Sequence, residues 1–107
     1  MYEYQATVVK VYDGDTITAD IDVGFGITIR KQKLRLLGVA APEVRGIEKE
    51  EGKKSRDALR KLILGKQIII KTKKDKKGKY GRWLATIFLG EQNINQWLIM
   101  EGHATVY

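Results

Sequence analysis

Residues 16 to 23, Thr-Ile-Thr-Ala-Asp-Ile-Asp-Val, alternate polar and apolar without a break, which puts Ile17, Ala19, Ile21 and Val23 on one face of a half-buried strand. Tyr4 to Tyr12 is rich in β-branched and aromatic residues. Asp13-Gly14 supplies a turn signal, so the two segments are expected to form a hairpin. A third strand is expected from Ile27 to Val39, after Gly24 and Gly26. Its apolar parity changes between Ile29 and Leu34, which predicts a bulge or bend near Lys31 to Lys33. Pro42, the only proline, ends that strand, and a charged loop follows. Ser55, Ala58, Leu59, Leu62 and Ile63 then form one stripe of a helix over 53 to 64, stopped by Gly65. Two more strands are expected, Gln67 to Lys73 and Arg82 to Leu89. A short helix begins at Asn93 or Asn95 as N-cap, carries Trp97 and Leu98 inward and ends at Gly102.

The order is therefore three strands, a helix, two strands and a helix. This is a mainly β (α+β) pattern, and it matches a five-stranded OB-fold Greek-key barrel with a helix between strands 3 and 4 and a short C-terminal helix. Closing the sheet removes exposed edges. At 107 residues with 43% hydrophobic content, the chain has material for one modest core, and residues 1–107 are expected to be a single domain.

Composition narrows the chemistry. There is no cysteine, so disulfides and thiolate metal sites are excluded, and the lone His103 cannot build a histidine cluster. Any metal must be held mainly by oxygen, which points to calcium or magnesium. The N-terminus lacks the basic-then-apolar layout of a signal peptide and no apolar run reaches membrane-spanning length. A cytoplasmic monomer without membrane contact is the default expectation, with secretion left open. Of the formal net charge of +7, most lies between Lys71 and Arg82, where seven basic residues face the single acid Asp75. That stretch reads either as a solvated hairpin or as an electrostatic footprint for a phosphate backbone.

Four places carry candidate chemistry. Asp13-Gly14-Asp15-Thr16 sets two carboxylates at a hairpin tip, a turn by composition and a cation site if other oxygens converge on it. Arg35 alternates against Leu34 and Leu36; it is either half of a structural ion pair or a fixed guanidinium fork matching phosphate oxygens. Glu43 follows Pro42, so its carboxylate is held at a stiff strand exit. In Lys79-Tyr80-Gly81-Arg82-Trp83-Leu84-Ala85, the glycine permits close ligand approach beside an arginine able to stabilise phosphate charge, or the segment is simply a hairpin end with Trp83 or Leu84 packed inward. Ser55 and His103 do not suggest a hydrolase triad, and Trp97 and Met100 read as core.

Taken in order, Asp13-Gly14-Asp15-Thr16, Arg35 through Glu43, Lys79 through Ala85, and Asn95 to Leu98 with Gly102-His103-Ala104 resemble the staphylococcal-nuclease-like (thermonuclease) family over nearly the whole chain. The resemblance implies a calcium-dependent phosphodiesterase acting on DNA and RNA, single-stranded or unpaired, with little sequence preference. By position, Asp15 would ligate Ca2+ with Asp13 in support and the Ala41 backbone carbonyl as a further ligand. Glu43 would orient or deprotonate the attacking water. Arg35 and Arg82 would bind the phosphate and stabilise its transition state. Lys79 and Tyr80 would contact a neighbouring phosphate, and Tyr107, where the chain stops short of the C-terminal helix of larger members, would stack on a base. The family usually has an acidic or amide metal ligand where this chain has Ala40, which predicts weakened calcium binding. A non-catalytic nucleic-acid-binding OB-fold module is therefore the alternative, and a protein-interaction module a third.

Overall fold

A computed structural model describes residues 2–74 and 83–107. In chain order the elements are β1 (Tyr2–Asp13), β2 (Thr16–Asp22), β3 (Thr28–Leu36), β4 (Val39–Ala40), a 3-10 turn (Gly46–Glu48), α1 (Lys49–Ile63), β5 (Gln67–Lys74), β6 (Trp83–Leu89), β7 (Gln92–Asn93), α2 (Ile94–Met100) and β8 (Thr105–Val106). The expected strand and helix order is present. No helix among the described residues is long and apolar enough to cross a membrane.

Strand β1 is long because it serves two partners. Its first half pairs with β5 and most of its length with β2, each antiparallel. The sheet then runs β3-β2-β1-β5-β6, and β3 closes on β6 through Leu34–Trp83, Arg35–Leu84 and Leu36–Ala85. The result is the five-stranded OB-type barrel, and its closing pair is parallel whereas its other barrel pairs are antiparallel. The alternation that predicted β2 holds, with Ile17, Ala19 and Ile21 buried and Val23 packed against the same core. The predicted bulge in β3 is also present. Pairing passes from Ala19–Gln32 to Ile21–Ile29, and Lys31, at φ 55°, donates its N–H to the Asp20 carboxylate at 2.9 Å.

Helix α1 starts four residues earlier than the apolar stripe implied and buries Gly52, Ser55, Leu59 and Ile63. Its Arg60 guanidinium donates to the Val11 carbonyl at 3.2 Å, and the chain beyond it pairs with β1 through Gly65 N–H to Val8 O and Val8 N–H to Lys66 O. The short helix α2 is capped by Asn93, whose side chain accepts the Gln96 N–H. Met100 lies outside the core at 82% exposure, contrary to its reading as a core residue. Trp83 is also on the outside, while Ala85 and Ile87 face inward.

Asn95, the other cap candidate, has a different task. It is buried, its amide donates to the Leu37 and Ala85 carbonyls at 2.9 and 3.0 Å, and its oxygen accepts the Ile87 N–H at 3.0 Å. It thereby ties α2 to β6 and to the turn after β3. Asn95→Ala removes three bonds and leaves a buried N–H without an acceptor, so we expect a loss of about 2–4 kcal/mol. Urea unfolding checks this as a lower midpoint at unchanged slope.

Candidate functional site

The tip joining β1 and β2 is held by its own polar groups. The Asp15 N–H donates to Asp13 Oδ1 at 3.0 Å, and the Thr16 hydroxyl donates to Asp15 Oδ1 at 3.0 Å. Gly14 sits between them because the tip is pressed against two other elements. A Cβ added there would lie 2.7 Å from the Ala41 Cβ and 3.0 Å from the Ser55 Cβ. Ser55 in turn donates from its hydroxyl to the His103 carbonyl at 2.6 Å. Ser55 and His103 are thus a structural strut under the site, in keeping with the absence of a triad.

Asp15 is the hub. Its carbonyl accepts the Leu36 N–H at 2.8 Å, fixing the tip to β3. Its Oδ2 accepts the Ala41 N–H at 3.0 Å and lies 3.8 Å from the Arg35 guanidinium. Arg35 leaves the barrel wall between buried Leu34 and Leu36 on the opposite face, as its alternation predicted. Its Nη1 donates to the Val39 carbonyl at 2.9 Å, and its guanidinium carbon stands 4.8 Å from the Tyr107 ring centre. Tyr107 is anchored by its N–H to the Gly38 carbonyl. The fork is therefore oriented by backbone and ring as well as leaning on a carboxylate, with only 16% of its side chain exposed.

Glu43 leaves the strand exit toward the same space. A cavity of about 660 Å³ is lined by Asp13, Asp15, Arg35, Ala40, Ala41 and Glu43. Lys10, Tyr12, Thr16, Thr18 and Lys33 line it as well. The predicted residues Asp13, Asp15, Arg35, Ala41 and Glu43 are thus brought together, and Tyr107 meets them through Arg35. Asp20 and Asp22, the other acids of β2, do not join them: each accepts a local backbone N–H, from Lys31 and Gly24. Lys79, Tyr80 and Arg82 lie outside the described residues.

Two features escaped sequence reasoning. Gly52 is inside α1 because the helix lies against the backbone that carries Glu43. A Cβ there would overlap the Glu43 carbonyl and sit 2.7 Å from the Val44 nitrogen. A glycine in a helical pattern was the available signal. The second is the pair Lys10 and Lys33, whose adjacency exists only once β1, β2 and β3 are in register.

Burial pushes the Asp13 carboxyl up to about 7. The hydrogen bond to the Asp15 side chain and the Asp15 charge add to this, while the Asp15 N–H and the Thr16 hydroxyl act in the other direction. Two carboxyls crowded into one tip, with the Thr16 hydroxyl beside them, are oxygen donors of the kind a hard divalent cation such as calcium takes. The set is incomplete. Ala40 contributes no side-chain oxygen to the cavity wall, and among the described residues no three His, Cys, Asp or Glu side chains gather at metal-holding distance.

The chain is similar to several known proteins. A family model described as staphylococcal nuclease homologue matches residues 33–107. The chain is 33% identical over 100 residues to a thermonuclease of Staphylococcus hyicus, covering 91% of this chain and 56% of that protein. It is 34% identical over 100 residues to an uncharacterized endonuclease of Haemophilus influenzae, covering 94% and 51%. Endonuclease YhcR of Bacillus subtilis is 33% identical over 115 residues, covering 98% of this chain and 9% of that protein. The chain spans about half the length, or less, of these curated relatives.

Proposed function

Because the chain belongs to the staphylococcal nuclease homologue family, we propose that it hydrolyses phosphodiester bonds of DNA and RNA, with low sequence specificity, in a calcium-supported reaction. The observation that carries this reading is the convergence of Asp15, Arg35 and Glu43 on one open cavity, with Arg35 already fixed in place.

In this reading the phosphate enters between Arg35 and the hairpin tip. The guanidinium offers its free N–H groups to the non-bridging oxygens, and its charge offsets the charge that builds on the phosphorus centre. Because Val39 and Tyr107 already orient the fork, little reorganisation accompanies the reaction. Glu43, exposed on the cavity wall, accepts a proton from the attacking water or holds that water in line. Asp15, with Asp13 in support and the Ala41 carbonyl as a further ligand, would hold calcium, which would supply polarisation of a phosphoryl oxygen. Arg82, Lys79 and Tyr80 complete the proposal as a second phosphate fork and a neighbouring-phosphate contact, and Tyr107 as a base platform. The substrate is single-stranded or unpaired nucleic acid, because an open cavity on a barrel wall admits a strand whose backbone can bend into it.

Ala40 on the cavity wall favours a second reading, a nucleic-acid-binding module without turnover. Incubating single-stranded DNA and RNA with the protein in millimolar-range calcium, and in a chelator, separates the two. Cleavage that the chelator abolishes is the expected result; retained binding with no cleavage overturns the enzyme reading. Ala40→Asp adds the missing charged oxygen and is expected to tighten calcium binding by about tenfold, since affinity follows ligand charge. Calorimetric titration with calcium checks it, and an unchanged affinity would mean that the metal does not sit beside position 40.

A further inference from the structure

The strand register places Lys10, Thr18 and Lys33 directly opposite one another across β1, β2 and β3. Their neighbours Val11, Ile17 and Leu34 are buried, so alternation turns this row outward, and both lysines are exposed. The next row along the same strands is Asp13, Thr16 and Arg35. Two residues along a strand span about 7 Å, the scale of the step between neighbouring phosphates in an extended polynucleotide. All three residues of the lysine row line the cavity that holds Asp15, Arg35 and Glu43.

Among the described residues neither lysine takes part in an ion pair; the pairs formed are Arg35–Asp15, Lys54–Glu51, Arg56–Asp57 and Arg60–Asp57. Two like charges are thus held on either side of Thr18, separated by two strand spacings of about 5 Å each. Their long stems can converge on one anion, with the Thr18 hydroxyl as a third donor between them. The cavity is consequently acidic at the hairpin tip and basic over the sheet. A lone diester held at Arg35 makes no use of the basic half.

We propose that Lys10, Thr18 and Lys33 form a second phosphate subsite, which binds the phosphate next to the one held at Arg35 and makes a polynucleotide strand, not an isolated diester, the preferred substrate. The inference rests on the nuclease reading for what is cleaved, and on the sheet register alone for where the strand lies.

The test compares Lys10→Gln/Lys33→Gln with the charge-matched control Lys61→Gln/Lys66→Gln, all four positions being exposed. Substrates are an oligothymidylate about a dozen nucleotides long, within the span of one barrel's binding site, and a dinucleoside monophosphate with a single diester. The subsite variant is expected to lose about tenfold more kcat/KM on the oligonucleotide than on the dinucleoside. In chelator, where binding is read alone, its plot of log affinity against log salt is expected to flatten by about 0.7, the value for one lost single-strand phosphate contact. The control keeps the parent slope and substrate ratio. An equal loss on both substrates, or a slope that matches the control, overturns the subsite. A protein that never cleaves but whose slope drops as stated refutes the nuclease reading and supports the subsite.

Discussion

Arg35→Lys is expected to lower kcat for cleavage of single-stranded DNA by about 10²–10³-fold, the usual effect of removing one aimed donor from a site where charge develops. The substitution keeps the positive charge, so a simple structural ion pair with Asp15 at 3.8 Å would tolerate it. What it removes is the planar fork. An ammonium can replace the bond to the Val39 carbonyl or face the phosphate, but it cannot do both in fixed geometry. It also makes a different contact with the Tyr107 ring, which now lies beneath a flat guanidinium. The accompanying loss of stability is expected to be only about 1 kcal/mol, one hydrogen bond at the half-buried rim. Steady-state kinetics at saturating substrate together with thermal unfolding check both numbers. A kcat within threefold of the parent, with stability reduced, would leave Arg35 as an ion-pair partner and remove the main support for phosphoryl chemistry at this site.

The difference between these two roles for Arg35 could not be read from the chain, although its outward direction could. Alternation against Leu34 and Leu36 is a local property and survived folding. The same holds for Ile17, Ala19 and Ile21, and for the bulge at Lys31, where a parity change forced one. Features that depend on two distant segments were not legible. The parallel closure of β3 on β6 and the Lys10–Thr18–Lys33 row are products of register, and the irregularity between Val8 and Lys10 shifts parity along β1. In α2 the run Trp97, Leu98, Ile99, Met100 is apolar throughout, so periodicity could not choose a face, and Met100 emerged in solvent. Asn95 was visible as a cap-type residue next to Asn93, and only the packing of α2 on β6 shows that it bridges carbonyls instead. For the candidate site, the order of Asp15, Arg35 and Glu43 along the chain was readable, whereas their shared cavity depends on the Asp15 bonds to Leu36 and Ala41.

Gly52→Ala carries the second large effect, and its sign runs against helix propensity. At an unconstrained interior position of a helix this change stabilises by about 1 kcal/mol, because alanine restricts the unfolded chain and glycine does not. Here α1 approaches the Pro42–Val44 segment so closely that a Cβ would overlap the Glu43 carbonyl carbon and oxygen. The obstructing atoms are main chain, so no side-chain rotation relieves the clash; either α1 or the strand exit must shift. The exit is the weaker of the two, since α1 is anchored by buried Leu59 and Ile63 and by Arg60 on β1. Glu43 is therefore expected to move by about 1 Å, a displacement that costs about 10²-fold when the group must meet a reacting water in line. Overpacking is expected to add a stability loss of about 1–3 kcal/mol. Among the described residues Asp15 and Arg35 form no hydrogen bond or ion pair with Gly52 or Glu43, so KM should change far less than kcat, while calcium affinity should fall only as far as the shifted strand exit shares in holding the metal. Measuring kcat, KM, calcium affinity and the urea midpoint on one preparation gives the whole pattern. A variant more stable than the parent, or one whose kcat is unaltered, would show that the helix does not set the position of Glu43.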